Sequence, residues 1–190
     1  MIEAGYFPKL IEIKPTAMQA PRVREICSVS ECISSGPDGW LEHWRHNQFG
    51  WFNRLADALG VIPKDQLSKY RLFAYRIYPE LFRQGRRIPV SVPEDVRPEP
   101  VPTNFRTIGF DAVSKTMEID RQLECSPLSC NFMASEMEVN EHCLFPDLRT
   151  ALLGAERFSV EEPEPGDYYV VEVLERADWH DTGGTGHDKR

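Results

Sequence analysis

The nine residues YRLFAYRIY, Tyr70 to Tyr78, decide the fold predicted for this chain. They are rich in aromatic and β-favouring residues, and Pro79 closes the run. Apolar side chains fall on both faces of the predicted strand, with Phe73, Tyr75 and Ile77 on one face and Tyr70, Leu72 and Tyr78 on the other. A strand with two apolar faces is covered on both sides, so we expect it to lie inside a sheet.

Further strands are predicted on both sides of this run. Residues 119–125 alternate apolar and polar side chains, which is typical of a half-exposed strand, and we expect them to pair as a hairpin with 105–113. The run YYVVEVL, 168–174, is apolar on nearly both faces and predicts another buried strand. The complete set of predicted strands is a short one after Pro8 within 6–13, and 70–78, 105–113, 119–125 and 168–174.

Two main helices are predicted to pack on one side of this sheet. The first follows from apolar residues that recur every three or four positions, and Asp38 would cap its start, Gly60 would mark its end and Pro63 would prevent its continuation. Its stripe consists of Trp40, Leu41, Trp44, Gln48, Trp51, Phe52, Leu55, Ala58 and Leu59. The second helix covers 147–158, with Asp147 as its cap. The fold class is therefore predicted as α+β, with a mainly antiparallel sheet of about five strands packed against two main helices.

The chain is predicted to form a single domain over residues 1–178. Residues 85–102 contain five prolines among acidic residues and valines, so this segment should be extended. We expect it to pack along its own domain, with contact to a partner as the alternative. A short helix is expected from Asn131 onward, and residues 179–190 are expected to form a flexible C-terminal tail.

The charge balance disfavours two classes of partner. The formal net charge is −8 and the pI is about 5.2, whereas phosphate backbones and anionic membranes select basic surfaces. The first residues, MIEAGYFPKL, do not resemble a leader, and no run approaches the roughly 18 apolar residues of a membrane span. We therefore expect a cytoplasmic protein that binds neither nucleic acid as its main partner nor a membrane.

The five cysteines suggest a candidate metal site. CSVSEC and CSPLSC each place two cysteines at the ends of a turn, and such turns present thiolates to one tetrahedral ion. The predicted zinc ligands are Cys27, Cys32, Cys125 and Cys130, with His142 or Cys143 as a substitute. Buried thiols are the competing interpretation, because cysteine is among the most frequently buried residue types, and disulfide or redox chemistry is a third.

Two functional hypotheses follow from these patterns. The first is a non-enzymatic binding or accessory protein that acts through a protein partner, because no catalytic motif is present and the chain is acidic. The alternative is a zinc- or cysteine-dependent enzyme with a site around Cys125, Cys130, His142 and Cys143, completed by His43 or His46. Adjacent residues such as His142 and Cys143 point in different directions, which argues against proton transfer between them.

Overall fold

An antiparallel five-stranded sheet dominates the computed structural model of the chain, which describes residues 1–39, 47–91, 97–115 and 125–177. The strands are β1 Ile2–Lys9, β2 Glu12–Ile13, β3 Glu25–Ile26, β4 Arg71–Arg83, β5 Arg86–Pro89, β6 Phe105–Lys115 and β7 Asp167–Arg176. The α-helices in these ranges are α1 Leu55–Gly60, α2 Pro127–Cys130 and α3 Leu148–Glu161. The main sheet has the order β1-β4-β7-β6, with β5 paired to β4, and β2 and β3 form a separate pair. The predicted α+β class is confirmed.

Strand β4 occupies the interior position predicted for the aromatic run. Its Ala74 pairs with Tyr6 of β1 on one side and with Leu174 of β7 on the other. Phe73 and Tyr75 are fully buried. The aromatic and β-branched composition of β4 thus fits a strand covered on both faces.

The other strand predictions hold in part. Strands β6 and β7 confirm the predictions for 105–113 and 168–174. Residues 116–124 lie outside the described ranges, so of the predicted hairpin partner only Cys125 is seen, in an antiparallel bridge to Ser114. The short strand predicted after Pro8 instead begins at Ile2 and ends at Lys9, so that Pro8 lies within it. An edge strand tolerates a proline because it needs hydrogen bonds on one side only.

The two faces of the sheet carry different hydrophobic clusters. Helix α3 starts at its predicted cap, where the Asp147 carboxylate accepts a hydrogen bond from Thr150 N at 2.8 Å. Its buried face packs with Val170 of β7, whereas the neighbouring Val171 belongs to the cluster that contains Trp51. Because neighbouring residues of a strand point to opposite faces, helix α3 and the tryptophan-bearing segment lie on opposite sides of the sheet, not on one side as expected.

The prediction of one long tryptophan-rich helix is wrong over residues 47–52 and confirmed over Leu55–Gly60, where the helix ends at the predicted Gly60. Residues 40–46 lie outside the described ranges, and residues 47–52 are not helical. The Asn47 side chain accepts hydrogen bonds from Phe49 N and Trp51 N, and Gly50 adopts a left-handed φ of 78°, so this segment turns. Phe52 then pairs with Tyr6 as a β-bridge, and α1 alone remains helical. The expected burial of Trp51 and Phe52 is nevertheless confirmed.

The described parts of the proline-rich segment pack on their own domain. Strand β5 pairs with the end of β4, and Glu99 N donates a hydrogen bond to Asn53 O at 2.9 Å. Residues 92–96, residue 178 and the expected tail at 179–190 lie outside the described ranges. In place of the helix expected from Asn131, the structure has α2 before this residue and a short 3₁₀ helix, Met133–Ser135, after it. No helix in the described ranges has the length and apolar character needed to cross a membrane.

Candidate metal centre

Two loops that are far apart in sequence meet beside the sheet and carry the candidate site. The first follows β3 and contains residues 27–32, and the second contains residues 125–130, including α2. The hydroxyls of Ser28 and Ser129 form a hydrogen bond of 2.8 Å between the loops, and both serines are fully buried. The two CxxxxC segments, 92 residues apart, are therefore in direct contact.

A buried lysine positions the first loop. Lys9, at the end of β1, is fully buried, and its Nζ donates to the carbonyl oxygens of Ser28, Val29 and Ser30 at 2.7, 3.0 and 2.6 Å. The three donors of one ammonium thus satisfy three consecutive carbonyls that cannot pair in regular secondary structure. Burial lowers the pKa of Lys9 to about 8.

A buried carboxylate connects the same loop to the second one. Asp111 of β6 accepts a hydrogen bond from Val29 N at 2.7 Å and another from Ser126 Oγ at 2.7 Å. Burial raises the pKa of Asp111 to about 6, although these hydrogen bonds and the charge of Lys9 favour the ionised form. Lys9 and Asp111 therefore fix the two loops relative to the sheet and to each other.

Three thiols converge where the two loops meet. The Sγ atoms of Cys32, Cys125 and Cys130 all lie within 4.8 Å of one another, and Cys32 Sγ is 3.5 Å from Cys125 Sγ. Cys32 is exposed, whereas Cys125 and Cys130 are half-buried. The Cys130 Sγ also lies 3.2 Å from Ser30 Oγ. The group therefore opens to solvent on the side of Cys32.

The spacing of these sulfurs suits a tetrahedral ion. Two thiolates that each lie about 2.3 Å from one zinc ion are separated by roughly 3.8 Å. The 3.5 Å between Cys32 and Cys125 is within a few tenths of an ångström of that value. In the described part of the chain the group consists of three ligand residues, and a zinc ion held by three ligands has a fourth position for water or another molecule.

The electrostatics of the group favour one thiolate and two thiols. A hydrogen bond from Cys130, supported by bonds from Ser30 and Cys125 and by the charge of Lys9, lowers the pKa of Cys32 to about 5 against the opposing effect of burial. Burial and the hydrogen bond to Cys32 raise the pKa of Cys125 to about 12. The pKa of Cys130 is also raised, first by the hydrogen bond that its thiol donates to Cys32 and then by burial. Ion binding would therefore displace protons from Cys125 and Cys130.

Cys27, the fourth predicted zinc ligand, lies in a different group with Glu25 and His142. The His142 Nδ1 is 2.6 Å from a Glu25 oxygen, and Cys27 Sγ donates to the same oxygen at 3.4 Å. Arg71 approaches the other Glu25 oxygen at 2.7 Å. A guanidinium in contact with the carboxylate repels a second cation, so this arrangement is that of an ion-pair network more than that of a metal site.

This network strongly favours the ionised carboxylate. Hydrogen bonds from His142 and Arg71, together with the Arg71 charge, lower the pKa of Glu25 to about 2 although its burial acts in the opposite direction. Burial raises the pKa of Cys27 well above the usual thiol range, so this cysteine stays protonated. His142 is consequently engaged with Glu25 and is not part of the three-thiol group.

The remaining predicted residues are dispersed. Cys143 is fully buried among the core residues that pack against α3. Burial raises the pKa of its thiol above the usual range, which favours the inert form. His43 and His46 lie outside the described ranges. The structure thus unites Cys125 and Cys130 with Cys32, and it separates them from His142 and Cys143.

The sequence interpretation missed the residues that support the group, namely Lys9, Asp111 and Ser30. A signal for Lys9 is present, because it falls two positions after the buried Phe7 and so on the same face of β1. Asp111 similarly interrupts an otherwise apolar run in β6. A charged residue at an inward position of a buried strand is rare unless it is paired, and this rule would have selected both residues. In comparisons with protein-family models, curated proteins and solved structures, nothing matches this chain.

Proposed function

We propose that this chain binds a thiophilic divalent ion, zinc in the first instance, through Cys32, Cys125 and Cys130. The observation that carries the proposal is the convergence of three sulfurs within 4.8 Å from two loops whose positions are fixed by buried polar groups. Thiolate ligands select zinc and other soft ions over magnesium or calcium. The exposed edge at Cys32 leaves room for a fourth ligand from solvent or from a bound molecule.

A binding titration with single substitutions tests this proposal. Metal-free, reduced protein is titrated with Zn²⁺ against a chromophoric chelator, and Co²⁺ is used in parallel because its thiolate absorption reports how many sulfurs bind. We expect one ion per chain with three sulfur ligands. Each of Cys32→Ser, Cys125→Ser and Cys130→Ser should weaken binding at least 100-fold, since loss of residues that only support ligands costs about 10- to 100-fold.

Matched controls come from the other two cysteines. Cys27→Ser and Cys143→Ser remove thiols of the same chain that lie outside the group, so binding should stay within a few-fold of the wild type. Circular dichroism and urea unfolding establish that each variant is folded. The proposal is wrong if the wild type does not bind Zn²⁺, or if the folded Cys27→Ser variant loses as much affinity as Cys32→Ser.

A second proposal is the accessory role, in which the chain acts in the cytoplasm through a protein partner. Its support is the net charge of −8 together with two apolar side chains on the outer face of α3. Leu153 is 59% exposed and Val160 is 65% exposed, and their separation of seven residues places them on one face of the helix. Substitution of both by glutamate should abolish a partner interaction without loss of stability, and an unchanged partner affinity would count against this surface.

A further inference from the structure

The three-thiol group also has the geometry of a reactive dithiol. We propose that Cys32 in the metal-free protein reduces a hydroperoxide, and that Cys125 then closes a disulfide with it. The observations are that Cys32 is exposed and that its Sγ lies 3.5 Å from the Cys125 Sγ. The inference uses the same thiols as the proposed metal site but requires no metal ion, so it goes beyond that proposal.

The chemical step balances without another cofactor. The Cys32 sulfur attacks one oxygen of the hydroperoxide, the O–O bond breaks, and the leaving oxygen takes a proton and departs as water or an alcohol. Cys32 is then a sulfenic acid, the first product in the oxidation of a thiolate. The Cys125 sulfur attacks the Cys32 sulfur, the S–O bond breaks, and the proton of Cys125 leaves with the hydroxyl group as water. Two thiols are oxidised to one disulfide, and the peroxide receives the two electrons.

The local structure favours Cys125 over Cys130 as the second thiol. A disulfide bond is about 2.05 Å long, so the two sulfurs must approach each other by roughly 1.5 Å. Cys32 lies in a turn that begins after Ser30, the last carbonyl held by Lys9, and it is not part of a helix or strand. Cys130, by contrast, ends α2 and contacts Ser30 Oγ at 3.2 Å. A small shift of the turn brings Cys32 to Cys125 and leaves Lys9 in place.

The disulfide and the metal ion exclude each other. Closure of Cys32 with Cys125 removes two of the three sulfurs of the group, so the oxidised chain has one thiol left at this position. A bound ion in turn occupies the lone pair with which Cys32 would attack the peroxide. We therefore expect Zn²⁺ to slow the oxidation at least tenfold and expect peroxide to abolish stoichiometric metal binding.

The test is thiol counting and peptide mapping on the full chain. Metal-free, reduced protein is treated with one equivalent of hydrogen peroxide, remaining thiols are alkylated, and the digest is analysed by mass spectrometry. We expect loss of two of the five thiols, one cross-link between the Cys32 and Cys125 peptides, and complete reversal by dithiothreitol. A link of Cys32 to Cys130 instead, or oxidation of Cys27 or Cys143 at the same rate, would overturn the inference.

Variants separate the two steps and the two proposals. In the double variant Cys125→Ser/Cys130→Ser, which lacks both neighbouring thiols, the sulfenic acid of Cys32 should persist and react with dimedone. Cys130→Ser alone should still form the disulfide, with Cys143→Ser as the matched control. Absence of a dimedone adduct in the folded double variant overturns the inference. Zinc binding through three sulfurs without disulfide formation refutes this inference and supports the proposed metal site. Disulfide formation without zinc binding supports this inference and refutes the proposed metal site.

Discussion

Substitution of Lys9 by methionine tests whether a buried charge holds the thiol-bearing loop. Methionine preserves most of the length of the side chain but removes three hydrogen bonds to the carbonyls of residues 28–30. A hydrogen bond to a charged group contributes roughly 2 kcal/mol, so the three together contribute about 6 kcal/mol. Because the three bonds share one ammonium, their contributions are not additive, and the net loss should be about half of this sum.

We therefore expect Lys9→Met to lose about 3 kcal/mol of unfolding free energy, at the lower end of the range for breaking a buried charged interaction. With a urea dependence of about 2 kcal/mol per molar, the unfolding midpoint should fall by roughly 1.5 M. The matched control is Lys14→Met, because the Lys14 side chain donates one hydrogen bond within the described residues, to Ala20 O at 2.8 Å, and the residue is only half-buried. It should lose about 1 kcal/mol or less.

The same variant should also weaken the site. When the carbonyls of residues 28–30 lose their donor, the turn that follows them is no longer fixed, so zinc affinity should fall by about 10- to 100-fold, as for other losses of supporting contacts. Urea unfolding and the competitive zinc titration measure both effects on one preparation. Two results would show that the magnitude derived from the three hydrogen bonds is wrong. One is an unfolding free energy of Lys9→Met within 1 kcal/mol of the wild type, and the other is a loss of unfolding free energy in Lys14→Met as large as that in Lys9→Met.

Substitutions at three further residues test the ion-pair network, the core and the helix cap. Hydrogen bonding, above all from His142, lowers the pKa of Glu25 to about 2, so its stabilising effect is complete above its usual pKa of 4.5 and disappears as the pH falls toward 2. The unfolding free energies of Glu25→Gln and wild type, about 2 kcal/mol apart at pH 7, should therefore converge by pH 2 in urea titrations. Gly154→Ala should lower the melting temperature and cost about 1–3 kcal/mol, because its new Cβ overlaps the Phe145 ring, and an unchanged melting temperature would contradict the packing. Asp147→Ala should cost about 1 kcal/mol in urea unfolding through loss of the cap, whereas Asp147→Asn should cost much less.

The elements predicted correctly are those whose local pattern agrees with their final environment. Strands β4 and β7 are apolar on both faces and lie in the interior of the sheet, and α3 has an apolar stripe behind a capping aspartate. The helix prediction was wrong over residues 47–52 because it rested on the spacing of apolar residues alone. That spacing takes no account of Asn47 and Gly50, which favour a turn of the backbone. The Asn47 side chain accepts a hydrogen bond from the backbone amide of Phe49, and Gly50 adopts a left-handed φ. The chain therefore turns, and Phe52 pairs with Tyr6 in a β-bridge instead of continuing a helix.

The site was predictable only at the level of its two loops. Equal spacing in CSVSEC and CSPLSC indicates that the loops are alike, but it does not say which cysteine faces which neighbour. Cys27 N donates a hydrogen bond to His142 O at 3.0 Å, and this backbone pairing turns the Cys27 side chain toward Glu25. Cys32 lies within the turn that follows Ser30, on the side of the second loop. Which cysteines belong to the three-thiol group therefore depends on a contact between residues more than 100 positions apart in the sequence, and no local pattern contains that information.

The polar interior beside the thiols explains why they can be brought together at all. Loop 27–32 contains no helix or strand, and the only regular structure in loop 125–130 is the single turn of α2. Four serines of the two loops are fully buried: Ser28, Ser30, Ser126 and Ser129. Unpaired backbone groups in such a place are costly, so each loop needs donors and acceptors from elsewhere. Lys9 supplies donors to the carbonyls of the first loop, and Asp111 accepts from an amide of the first and a hydroxyl of the second. Lys9 and Asp111, which come from the opposite edge strands β1 and β6, thus hold the two loops in which the Cys32 and Cys125 sulfurs lie 3.5 Å apart, and both the proposed metal site and the proposed disulfide depend on this short distance.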